Sequence, residues 1–121
     1  MRTVLLLVLL CGCATAIQSN RSQSIVTERL YFGRNTGDTL GVSDSVWAVF
    51  VRDVVSARLP AGFTFWLAEG SRREPSFVLE VVHPARSAGA DSAIVAIIAE
   101  YKRRFRQQSV LRVVTAGHAS F

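Results

Sequence analysis

The chain has 121 residues, half of them hydrophobic, with 14 lysines and arginines against 9 acids and a formal charge of +5. That length suits one domain, whose core closes without disulfide staples. The charge excess is mild: it suits an anionic membrane surface or an anionic ligand and is too small to argue for nucleic acid.

Arg2 precedes an apolar stretch, Val4 to Leu10, which runs into Cys11-Gly12-Cys13. As a helix, Thr3 to Leu10 would cover about 12 Å against a hydrocarbon core of about 30 Å, so it does not span. The run resembles the cleavage and lipid-attachment signal of bacterial lipoproteins. Residues 1–12 are therefore expected to be removed and Cys13 to carry the lipid, with Gly12 as the small residue before the cut. Two or more acyl chains, at about 0.8 kcal/mol per buried methylene, anchor a protein stably without crossing the bilayer. An ordinary secretory signal cut after Ala14 or Ala16 is the alternative. Ala14 stands where an aspartate would signal retention at the inner membrane, so the expectation is an exported protein at the outer membrane, facing the periplasm. Cleavage leaves residues 13–121, 109 in all, with a charge of +4 once Arg2 is gone and neither a free thiol nor a disulfide framework.

Residues 13–24 follow as the anchor cysteine and a polar tether without apolar period. Ile25 to Arg34 alternates and is rich in β-formers, which predicts a first strand of a domain over 25–121, closed by Gly33 and the turn residues Asn35-Thr36-Gly37-Asp38. Ser43 is a helix cap, and Trp47, Phe50, Val51 and Val54 repeat at helical spacing before Pro60 ends the segment. Phe63 to Ala68 and Phe77 to His83 read as a hairpin joined by the charged connection Glu69 to Pro75. Asp91 is the expected cap of a second helix striped by Ile94, Ile97, Ile98, Tyr101 and Phe105, and Val110 to Thr115 makes a fourth strand.

The order β-α-β-β-α-β packs, through right-handed crossovers, as a four-stranded antiparallel sheet with both helices on one face. This α+β arrangement is ferredoxin-like, with expected strand order 4-1-3-2. Arg29-Leu30-Tyr31-Phe32-Gly33, the phrase Glu74 to Val82, Tyr101 to Phe105 with Gln108 to Val113, Trp47 and the closing Ser120-Phe121 together resemble a family of small exported bacterial domains of unknown function, number thirty-five seventy-four. The resemblance covers the whole mature domain. It implies no activity and no catalytic residues, because the family carries none that are established.

Strand alternation then divides the sheet. Leu30, Phe32, Phe65, Phe77, Leu79, Val81, Leu111 and Val113 are expected under the helices; Arg29, Tyr31, Trp66, Val78, Glu80, Val82, Arg112 and Val114 are expected on the open face. So apolar an outward face calls for a cover. Arg29, Tyr31, Trp66, Glu80 and Arg112 are the candidate site residues. One occupant is a second copy of the chain, packed sheet to sheet. Another is a small anionic or amphipathic ligand, with Arg29 and Arg112 on the anion and Tyr31 and Trp66 on the apolar part. The third reading is a cofactor-independent enzyme of the dimeric α+β barrel type, with Glu80 as base, Tyr31 as acid and Arg112 on an oxyanion. His83 and His118 are read as surface or loop histidines rather than metal ligands, and no cofactor is expected. The run Lys102 to Arg106 is read as a solvated helix end, with lipid phosphates as the alternative.

Overall fold

A computed structural model of the protein describes residues 21–71 and 74–120. The expected signal over residues 1–12 and the lipidated Cys13 lie outside the described residues. Strand β1 (Gln23–Gly33) leads into a minor hairpin of β2 (Asn35–Thr36) and β3 (Thr39–Leu40), followed by helix α1 (Asp44–Phe50). That helix continues through a π-helical stretch, Val51–Val55, into the short α2 (Ser56–Arg58). Then come β4 (Thr64–Glu69), β5 (Pro75–Pro84), α3 (Ala88–Phe105) and β6 (Leu111–Ala119). The four long strands form an antiparallel sheet in the order β4-β5-β1-β6, which is the expected order read from the other edge.

The helices lie on the face where the large apolar side chains of β1 and β5 gather. Leu30 and Phe32 from β1 and Phe77, Leu79 and Val81 from β5 meet Trp47, Phe50, Val54 and Val55 of the first helical segment and Ile94, Ile97 and Tyr101 of α3. Aromatic rings fill the centre. Trp47 stacks on Phe77 with centroids 4.3 Å apart, and Phe32 meets Tyr101 edge-on at 4.6 Å. The Tyr101 hydroxyl donates to the Gly33 carbonyl at 2.8 Å; burial pushes its pKa up, with Arg34 opposing.

Two capping expectations meet different outcomes. Ser43 does cap α1, its Oγ accepting from the Val46 amide. Asp91, by contrast, is not a cap: α3 starts at Ala88, and Asp91 lies in its first turn, bonded elsewhere. Arg34, buried beside this entry, donates to the Val42 carbonyl and to Asp44 and sits 4.4 Å over the Phe77 ring, fixing the start of α1 against the sheet.

Candidate functional site

Strand register sets the open face row by row. Val113, Arg29, Glu80 and Thr64 lie across β6, β1, β5 and β4, and the next row is Leu111, Tyr31, Val78 and Trp66. Arg29 Nε donates to Glu80 Oε2 at 2.6 Å, and that hydrogen bond and charge raise the Arg29 pKa. Val78 is buried between Tyr31 and Trp66, whereas Trp66, Val82, Leu111 and Val113 are 40–60% exposed. Thus Arg29, Tyr31, Trp66 and Glu80 share one surface, arranged as an apolar row beside a charged one. A recess of about 190 Å³ opens among Thr27, Arg29, Val113 and Thr115.

Arg112 is not part of that surface. It stands opposite Leu30, on the helix side of the sheet, so the expected phase of β6 is inverted by one residue. Leu111 and Val113, expected under the helices, are instead on the open face, and Val114 turns to the helix side with Arg112. The reason is Glu28. This carboxylate sits on the helix side of β1, 2% exposed, and both of its oxygens accept from the Arg112 guanidinium. A buried carboxylate without a cation costs several kcal/mol, roughly 3–5 when its partner is removed, so the pairing dictates which way β6 faces. The Glu80, Tyr31 and Arg112 constellation is therefore not assembled, because the sheet separates its arginine from the other two.

A second polar cluster emerges around Glu28. His83 Nε2 lies 3.0 Å from Glu28 Oε1, where an Nε2–H donates to the carboxylate, and His83 Nδ1 lies 2.9 Å from the Pro84 carbonyl oxygen. Arg112 Nη2 also donates to Asp91 at 2.6 Å, tying β6 to the start of α3. Burial pushes the Glu28 carboxyl up, but hydrogen bonds from Arg112 and then His83, with their charges, outweigh it and leave the pKa lowered. His83 is thus a partly buried structural histidine rather than the expected surface one, while His118 is exposed. Sequence reasoning missed Glu28 although a signal was present: a charge interrupts the helix-side series Val26, Leu30, Phe32. Among the described residues no three His, Cys, Asp or Glu side chains converge as the ligands of a metal would.

The basic end of α3 is partly neutralised. Arg103 and Arg104 both donate to Glu100, which draws the Glu100 pKa down to about 2. What remains for an outside anion there is less than the sequence run suggests.

Residues 27–121 match the family model described as "Protein of unknown function (DUF3574)". The chain belongs to this family. The match takes in both polar clusters and the sheet apart from the first four residues of β1, 23–26. No curated protein matches the chain. Among solved structures, a phage SAM lyase in complex with S-methyl-5′-thioadenosine is similar at 15% identity, with a TM-score of 0.58 over 80% of this chain and 90% of that one. The phage SAM lyase in its apo state covers 79% of this chain and 87% of its own at 15% identity, with a TM-score of 0.47. At such identity the first likeness concerns the fold alone: helices on one side of a four-stranded sheet, a frame that hosts many unrelated functions.

Proposed function

We propose that this DUF3574 protein is an interaction module of the bacterial cell envelope, held by a lipid on Cys13 at the outer membrane and facing the periplasm. It works through its open sheet face, and the occupant is a second copy of the chain. The observation that supports this is the exposure of Trp66, Val82, Leu111 and Val113 around the central Arg29–Glu80 pair, on the side opposite the helices. Acid and base stand side by side on adjacent strands. A two-fold axis between them sets each Arg29 against its partner's Glu80, so no charge loses its partner while the apolar rows are buried. Four strands at about 4.8 Å and lengths near 30 Å give a footprint of roughly 600 Å², close to the ~800 Å² per partner of a standard interface.

Binding is favoured over catalysis because Glu80 is engaged by Arg29 rather than free to accept a proton, and the arginine assigned to an oxyanion faces the other way. A small anionic or amphipathic ligand is a second reading, favoured by the recess beside Arg29. Sedimentation of the purified protein separates the two. A dimer mass is expected, and Val113→Asp, which sets a carboxylate in the middle of the face without entering the core, should return the protomer with its circular dichroism intact. A wild-type protomer at micromolar concentration would leave the face to a ligand and remove the dimer.

A further inference from the structure

β4 begins only at Thr64, opposite Glu80, so the last stretch of β5, from Val81 to Pro84, continues with no strand on that side. The chain leaving α2 passes there as an irregular segment and leaves a cavity of about 350 Å³. Leu59 and Pro60 form one wall, Val81 and Pro84 another, and the first turn of α3 closes the end at Gly89 and Ala90. That end wall is thin: a Cβ added at Gly89 would meet nothing within 4 Å. The volume is at the lower end of small-molecule sites, which run from about 300 to 1,000 Å³, and walls of this composition bury an apolar body.

Charge decides what else the occupant carries. No acid lines the cavity. His83 does, but its ring is held in the cluster of Glu28, Arg112 and Asp91. Arg58 is the arginine of the lining. Its Nη1 donates to the Val54 carbonyl at 3.2 Å, and among the described residues no carboxylate pairs with it. A greasy cavity with one uncompensated guanidinium selects an anion with an apolar body.

We infer that this cavity is a binding site for a small amphipathic anion, such as a medium-chain or aromatic carboxylate, centred at the unpaired end of β5 and bordering the open sheet face at Val82. The test is titration of the full protein with the dye anilinonaphthalene sulfonate, an aromatic monoanion that brightens on leaving water. Saturable uptake of one dye per chain is expected. Gly89→Phe, which grows a ring into the cavity from an unstrained helical position, should weaken the dye about tenfold. Arg58→Gln should weaken it by about threefold to tenfold and flatten its salt dependence. Trp66→Ser, on the open face and outside the lining, should leave it unchanged. Absence of saturable uptake, an unaltered affinity in Gly89→Phe, or loss in Trp66→Ser overturns the site; an unaltered affinity in Arg58→Gln overturns its anion preference.

Discussion

Glu28 is the side chain on which the polar half of this molecule turns. It is nearly inaccessible, yet it keeps its charge, because Arg112 donates to both oxygens and His83 Nε2–H donates a third hydrogen bond. Removing a partner from a buried pair costs about 3–5 kcal/mol in general. Here Arg112 is a quarter exposed and His83 remains, so Arg112→Ala should lose about 2 kcal/mol in urea unfolding, and Arg112→Lys should recover less than half of it. The pH dependence has a defined sign. Because the folded carboxyl titrates below the ordinary 4.5, its stabilisation is complete above that value and is lost as pH falls through the lower folded one. Stability should therefore decline on acidification below about pH 4.5, and Glu28→Gln should flatten that decline. An Arg112→Ala midpoint equal to wild type would show the pair to be energetically idle.

At the scale of elements, the helical segments follow their sequence closely but not completely. Ser43 caps where its type and position predict, and Tyr101 and the isoleucines of α3 bury as their spacing requires. The π-helical stretch has no such signature: Ser56 N–H bonds to the Val51 carbonyl, one residue beyond the α pattern, while Val54 and Val55 both stay in the core. The other exception is the end of α3, where Arg106 adopts left-handed backbone at φ 53 and ψ 36. A Cβ makes that conformation costly by about 1–2 kcal/mol, and glycine's greater unfolded freedom returns part of it, so Arg106→Gly should stabilise the fold by about 0.5–1 kcal/mol. Thermal unfolding measures this directly, and a lower midpoint would mean that the arginine side chain holds something of its own.

For the whole molecule, the domain is a single α+β layer pair, and the two proposed binding surfaces lie at the open face and at the unpaired end of β5. Among the described residues no helix is long and apolar enough to cross a membrane. The proposed attachment is the lipid on Cys13. Metabolic labelling with a fatty-acid probe should mark the wild type and leave Cys13→Ala dark; equal label in both would dismiss the anchor.

Local patterns were enough for the order of elements, the strand order β4-β5-β1-β6 and the burial of Leu30, Phe32, Phe77 and Leu79, because alternation, caps and handed crossovers act over short stretches of chain. The same patterns placed Arg29, Tyr31, Trp66 and Glu80 on one surface. They could not phase β6, since Leu111, Val113 and Val114 are apolar on both sides and only Arg112 distinguishes them. That phase rests on a contact between Arg112 and Glu28, 84 residues apart, and the cavity beside β5 likewise depends on where β4 happens to begin. Pairings across such separations are set when distant strands meet: the misplaced charge of Glu28 marks that a partner is needed, but nothing near it in the chain says which residue that partner is.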